Sequence, residues 1–269
     1  MIKQILPILL ILPVALYLCF ITALYFYQEA LIFPGEKLPA DHQFQFDHAF
    51  EELTIAVDGA ELNALHFKQE NPRGLVFFLH GNGGNLASWT VGAEFYLRVN
   101  YDMFMLDYRG YGKSTGTIQS EKQLHQDIRT AWDIISKQYT DRPILIYGRS
   151  LGAALAAELA RHVRHERLVL VSPFTNMQAM AKARYPFAPS GLLRYPLQTD
   201  NIINGISSDI VFFHGDQDSF INISHSKTLQ TLTQKPSRLF TVKGARHDDI
   251  HEFDEYLENF VGVLPDSLN

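Results

Sequence analysis

The spacing of apolar positions changes abruptly near residue 28. Ile5–Tyr27 is a run of 23 residues without a charged side chain. As a helix rising 1.5 Å per residue it would reach about 35 Å, enough to cross a ~30 Å hydrocarbon layer. Pro7 and Pro13 lie in its first half, and membrane helices tolerate proline better than soluble ones do. Tyr17, Tyr25 and Tyr27 suit an interfacial end. A cleaved signal peptide has a shorter apolar region ending at a small-x-small site. Leu16-Tyr17-Leu18 also puts bulk before Cys19, where a lipoprotein signal needs a small residue. Residues 1–28 are therefore expected to be an uncleaved membrane anchor. Lys3 precedes the span, and Glu29, Glu36 and Lys37 follow it. The positive-inside rule then puts the amino terminus in the cytoplasm and the remainder on the periplasmic, lumenal or extracellular side.

From Gln28 onward, short apolar runs alternate with amphipathic stretches, the pattern of a mostly parallel central sheet flanked by helices. Phe50–Val57 and Glu61–Phe67, split by Asp58-Gly59, read as a hairpin. Gly74–Leu79, Met103–Leu106, Ile144–Tyr147, Leu168–Val171, Ile210–Phe213 and the shorter Leu239–Val242 read as strands. Three- and four-residue apolar spacing predicts helices over Leu86–Val99, Glu121–Gln138, Leu151–Arg164, Ser224–Thr233 and Asp248–Val261. The order is βαβα, and residues 29–269 fit one α/β domain. Pro173–Ser208 carries Pro186, Pro189, Gly191 and Pro196 without a clean strand, so 173–208 reads as a small insertion over one end of the sheet.

Composition narrows the classes. At 46% hydrophobic and 19% charged residues the chain can bury a sizeable core, so disorder is not expected. A net charge of -6 argues against nucleic acid as a partner. Cys19 is the only cysteine, so neither an intrachain disulfide nor a cysteine-based metal site can form.

Four segments carry candidate chemistry. Gly148-Arg149-Ser150-Leu151-Gly152 follows the run Ile144–Tyr147 and opens an alanine-rich helix. A strand-to-helix turn exposes a serine hydroxyl, and flanking glycines permit the tight packing, so Ser150 is the candidate nucleophile. Its bland alternative is a helix N-cap. His80-Gly81-Asn82-Gly83-Gly84-Asn85 ends another apolar run, and its backbone N–H groups can face a developing oxyanion. The expected donors are the N–H groups of Leu151 and Asn82, with Gly83 as a weaker second choice. The alternative is an ordinary βα turn; no Gly-Lys-Ser/Thr follows to make it a phosphate loop. His214-Gly215-Asp216-Gln217-Asp218 puts two carboxylates just past a strand, and Gly244-Ala245-Arg246-His247 puts a histidine after the last one. His247 is the candidate base and Asp218 the candidate acid, with Asp216 left open. His225 and His251 fall within expected helices. His247 and His251, four apart, raise a zinc-protease reading, but Asp248 stands where that motif wants a glutamate. No metal or organic cofactor is expected.

These segments together resemble the α/β-hydrolase superfamily, and within it membrane-anchored serine hydrolases related to the α/β-hydrolase-domain lipases and protein depalmitoylases. The resemblance spans Tyr27–Val261. It rests on Gln28-Glu29-Ala30-Leu31-Ile32-Phe33-Pro34, His80–Asn85, Asp107-Tyr108-Arg109-Gly110-Tyr111-Gly112-Lys113-Ser114, Gly148–Gly152, Ser172-Pro173-Phe174, His214–Asp218 and Gly244–His247. Their chain order, Ser then Asp then His, is that of the superfamily. The resemblance implies an α/β-hydrolase fold with Ser150 as nucleophile, Asp218 as acid and His247 as base, and makes Asp107–Ser114 a structural turn near the site. The leading expectation is hydrolysis of an ester or thioester, with an amide as a further option, through an acyl-enzyme; membrane attachment and the aromatic-rich Ala183-Arg184-Tyr185-Pro186-Phe187 suit a lipophilic acyl substrate. Arg149 at the variable position and the short insertion, which argues against a large lid, are departures from common forms. Two readings compete: an amide hydrolase of aminopeptidase type, and a non-catalytic membrane-tethered binding module on the same fold.

Overall fold

β1 (Phe50–Val57) and β2 (Ala60–Phe67) pair antiparallel, Val57 opposite Ala60, with Gly59 of the connecting turn at φ 70°. That positive φ is the conformation a two-residue hairpin turn demands. β3 (Leu75–Leu79), β4 (Asp102–Leu106), β5 (Ile144–Arg149), β6 (Arg167–Val171), β7 (Asp209–Gly215) and β8 (Ser237–Val242) complete one sheet in the order β1-β2-β4-β3-β5-β6-β7-β8. β2 meets β4 antiparallel, and every pairing from β4 to β8 is parallel. The structure, a computed structural model, describes residues 2–90 and 93–265.

β3 to β7 are buried along nearly their whole length, whereas the edge strand β8 is not, so alternation in the inner strands sorts side chains between two cores. Leu75, Phe77 and Leu79 of β3 join Ile144 and Ile146 of β5 on one face. Val76 and Phe78 join Leu145 and Tyr147 on the other. Both sets are apolar, so the sequence reads as continuous hydrophobic runs without a period of two.

The helices are α1 (Ile2–Phe26), α2 (Gln28–Ile32), α3 (Leu86–Trp89), α4 (Ala93–Arg98), α5 (Glu121–Ile135), α6 (Leu151–His162), α7 (Met177–Arg184), α8 (Thr199–Ile202), α9 (Ser224–Leu232) and α10 (Asp254–Gly262). Of the helix expected over Leu86–Val99, Leu86–Trp89 and Ala93–Arg98 are helical, while Val91 and Gly92 lie outside the described residues. The helix expected from Asp248 starts only at Asp254, after a short 3-10 turn at Ile250–Glu252. The reason is local. Asp249 accepts from the Arg246 N–H at 2.6 Å and from its guanidinium at 2.8 Å, and such side-chain bonds hold the backbone in a turn instead.

Among the described residues, no helix is long and apolar enough to cross a membrane. Side chains of α1 are described from Ile11 onward, so the first part of the expected span, through Leu10, lies outside them. Residues 173–208 hold α7 and α8 and no strand, and α7 lies beside the carboxyl ends of the strands, where Met177 and Met180 share a cavity with Ser150.

Candidate active site

The carboxyl ends of β3, β5, β7 and β8 carry the candidate residues, the end at which open parallel sheets bind ligands. Ser150 follows β5 directly and sits at φ 54°, ψ −118°, a left-handed conformation that costs a non-glycine residue free energy. Its hydroxyl caps nothing at the start of α6, so the N-cap reading is set aside. The turn closes only because Gly148 and Gly152 lack side chains. A Cβ on Gly152 would stand 2.0 Å from the Leu79 carbonyl oxygen, and one on Gly148 would stand 2.3 Å from the Gly152 oxygen.

Three side chains from distant segments converge here. His247 Nε2 lies 3.1 Å from Ser150 Oγ, and His247 Nδ1 lies 2.8 Å from Asp218 Oδ2. Asp218 is buried, and its other oxygen accepts from the N–H groups of Phe220 at 2.9 Å and Ile221 at 2.7 Å. His214 Nε2 stands 3.3 Å from Oδ2. Burial pushes the Asp218 carboxyl up, but the hydrogen bonds from His214, His247 and the Ile221 N–H outweigh it and hold the group well below the usual carboxylate range. Asp216 is turned away: it is exposed and accepts from the Gly244 N–H at 2.8 Å. The geometry therefore sets Asp218 on His247 and leaves Asp216, the alternative carboxylate, in solvent.

The loop 80–85 lies beside Ser150, and Asn82 and Leu151 line the same cavity as the serine hydroxyl. Leu151 opens α6, where backbone N–H groups lack intrahelical acceptors. The loop's carbonyls are tied back by aromatic donors: Tyr108 to His80 O at 2.8 Å, Tyr111 to Asn82 O at 2.7 Å, and Trp89 Nε1 to Gly83 O at 2.6 Å. Burial pushes the phenols of Tyr108 and Tyr111 up, which keeps both as donors. Asp107 Oδ1 accepts from the Leu86 N–H at 3.0 Å, and Asn85 caps α3. The 107–114 turn thus braces the loop.

A family model described as serine aminopeptidase, S33 matches residues 70–199. Alpha/beta hydrolase domain-containing protein 17B of Xenopus tropicalis is 32% identical over 203 residues, covering 74% of this chain and 68% of the relative. The Homo sapiens protein of the same name matches with the same identity and coverage. The chain belongs to the α/β-hydrolase superfamily. Solved structures agree on the fold of this α/β hydrolase. An esterase from Pyrococcus furiosus superposes with a TM-score of 0.66 at 17% identity, over 86% of this chain and 97% of that one. An alpha-beta hydrolase from Vibrio vulnificus gives 0.67 at 21% identity, over 80% and 81%.

Two residues of this α/β hydrolase that the sequence did not single out as functional touch the site. Arg149 packs its guanidinium 5.3 Å over the Trp89 ring and donates to the His247 carbonyl at 2.8 Å, pinning the turn that carries the imidazole. His214 bonds Ser226 Oγ and the Ile221 carbonyl, both at 2.7 Å, and so fixes the Asp218 loop from below. The one signal for Arg149 was a charge inside an otherwise apolar strand end, and its partner lies 98 positions away. His251 does not form a metal pair with His247: it sits in the 3-10 turn with Nδ1 3.3 Å from the Arg149 guanidinium, a cation where a second cation would be repelled. His225 lies in α9 against Thr175, 3.0 Å from its hydroxyl.

Proposed function

We propose that this chain is a membrane-anchored serine hydrolase that cleaves carboxylic ester or thioester bonds of lipophilic acyl substrates. The observation that carries the reading is the position of His247, bridging Ser150 Oγ and the Asp218 carboxylate through its two ring nitrogens. In the first step Ser150 Oγ attacks the acyl carbonyl carbon while His247 Nε2 takes the hydroxyl proton. Asp218, accepting from Nδ1–H, holds the tautomer and stabilises the imidazolium. The carbonyl oxygen becomes an oxyanion facing the N–H groups of Leu151 and Asn82, each such donor being worth roughly 3–4 kcal/mol. The tetrahedral species collapses, the carbon–heteroatom bond breaks, and His247 gives its proton to the departing alcohol or thiol. Water then attacks the acyl-Ser150, losing its proton to His247, which returns it to Ser150 Oγ as the acid leaves.

The lining of the cavity supports an acyl group over a peptide amine. Among the described residues it holds Met177, Met180, Leu192 and Phe174, together with Lys182 and Arg184, and no aspartate or glutamate. Lys182 and Arg184 in that lining would repel the free ammonium group an aminopeptidase must accept, which favours the acyl reading. For the anchor, support comes from the uncharged run Ile5–Tyr27, helical within Ile2–Phe26, and from exposed Ile11, Val14 and Leu16 on that helix. Few charges flank it, and on them rests the orientation with the amino terminus in the cytoplasm and the hydrolase on the opposite side.

The test is labelling of the detergent-solubilised chain with a fluorophosphonate probe. Wild type is expected to label and Ser150→Ala to stay unlabelled, with alkaline carbonate extraction leaving both in the membrane fraction. A folded wild type that neither labels nor hydrolyses any ester favours the binding-module alternative.

A further inference from the structure

The cavity that reaches Ser150 has a volume of about 550 Å³, within the range of small-ligand sites. One of its walls does not come from the sheet or from the 173–208 segment. Leu24, Leu31 and Ile32, at the corner where α1 meets α2, line it opposite Met180, Tyr185 and Leu192. The corner is bonded to the roof at several points. Gln28 is buried, donates to the Leu192 carbonyl at 2.7 Å and accepts from the Arg194 N–H at 2.9 Å. Glu29 pairs with the Arg194 guanidinium at 2.7 Å and accepts from the Tyr195 hydroxyl at 2.8 Å. Higher on α1, Tyr17 donates to the Phe187 carbonyl at 3.0 Å, and the Phe20 ring lies 6.4 Å from that of Tyr185. On the other side the chain after α2 is stitched to the loops beside the serine, Glu36 N–H to Gly84 O at 3.0 Å and Gly112 N–H to Glu36 O at 2.8 Å. A helix that served only as a tether would need no buried amide with both ends matched to backbone, because an amide is buried at a cost unless its partners are supplied.

We propose that the α1–α2 corner is part of the acyl subsite. Leu24, Leu31 and Ile32 form the wall along which a single unbranched acyl chain lies, and Gln28 clamps the 185–193 roof to that wall, so that the corner selects acyl chain length. This rests on the serine-hydrolase reading above. It makes the last turns of the amino-terminal helix a specificity element, because they shape the pocket the lipophilic substrate enters.

The experiment uses the full chain in detergent micelles, with p-nitrophenyl acetate, hexanoate, decanoate and palmitate as substrates and fluorophosphonate labelling in parallel. Leu24→Trp is expected to lower kcat/KM for the long esters relative to the acetate by roughly tenfold or more, the scale at which a pocket senses a few methylenes. Leu24→Ala is expected to shift the preference the opposite way, toward longer chains, which a folding defect would not do. Gln28→Ala, which frees the roof, is expected to raise KM for the long esters more than it lowers kcat. Phe26→Ala, on an exposed side chain outside the cavity lining, is expected to leave the chain-length ratio unmoved. Variants that label like wild type but keep its chain-length profile overturn the proposal alone. A wild type that does not label overturns this proposal together with the reading it rests on.

Discussion

A serine hydroxyl is an ordinary alcohol, and what distinguishes Ser150 is its backbone and its neighbour: φ 54° aims the side chain out of the sheet end, and an imidazole nitrogen waits 3.1 Å away. The same contrast holds for the two aspartates, chemically identical and separated by one residue. Asp218→Asn keeps the shape but replaces an acceptor on Nδ1–H, favouring the wrong tautomer, and is expected to lower ester turnover about 10⁴-fold. Asp216→Asn, on an exposed carboxylate that accepts from the Gly244 N–H, is expected to stay within about threefold of wild type, inside the small range usual for surface changes. Steady-state kinetics on both variants decides between the carboxylates. Ser150 and His247 were legible because a strand-to-helix turn and a post-strand histidine are sequence features. Asp218 was the expected acid from the resemblance, but Asp216 stayed open beside it, because both aspartates follow β7 and only the path of the 216–221 turn decides which one faces inward.

At the scale of elements, the site depends on how closely α6 approaches β3. Gly152→Ala would bring a Cβ to 2.0 Å from the Leu79 carbonyl and 2.5 Å from that of His80, both backbone atoms that cannot swing aside. Overpacking of this kind is expected to cost at least ~2 kcal/mol and to push the 80–85 loop off Ser150, lowering fluorophosphonate labelling. Gly262→Ala, with nothing near its added methyl, is expected to be neutral or to stabilise α10 by up to ~1 kcal/mol. Denaturant midpoints of the two variants measure the difference. The strands and most helices were legible from apolar runs and 3.6-residue spacing. The start of α10 was missed because Asp249 binds the Arg246 backbone, a local competition that periodicity does not register.

For the molecule as a whole, the buried His66 contributes to the response to acid. Burial pushes His66 down to about 4. Its Nε2 lies 2.7 Å from the Tyr139 hydroxyl, which donates to Asp102, so Nε2 carries the proton and the buried Nδ1 has no acceptor or donor among the described residues. Burial also lowers His165, His225 and His251. Between pH ~6.5 and ~4 the unfolded chain takes up a proton at His66 that the folded chain refuses, so stability falls as the pH falls through that window. The two values place about 3 kcal/mol on His66. The depressed Asp218 carboxyl adds stability that is lost only below the unfolded carboxylate range, near pH ~3.9 and under. His66→Gln, which can still donate to Tyr139 but does not titrate, is expected to lose about 2–3 kcal/mol less than wild type between pH 7 and 4.5. Parallel urea titrations at the two pH values would show equal losses if the reading is wrong.

The amino-acid sequence by itself determined the class of the fold, the order of its strands along the chain, and the residue types able to do acyl chemistry, because these follow from local periodicity, turn residues and functional groups. Only the tertiary structure decided which groups meet. It brought Asp218 and not Asp216 to His247, Arg149 to the His247 carbonyl, and the α1–α2 corner to the cavity at Ser150. Each of these contacts joins side chains far apart in sequence, and what sets them is the strand order and the close packing of helices on the sheet, neither of which is written in any local window.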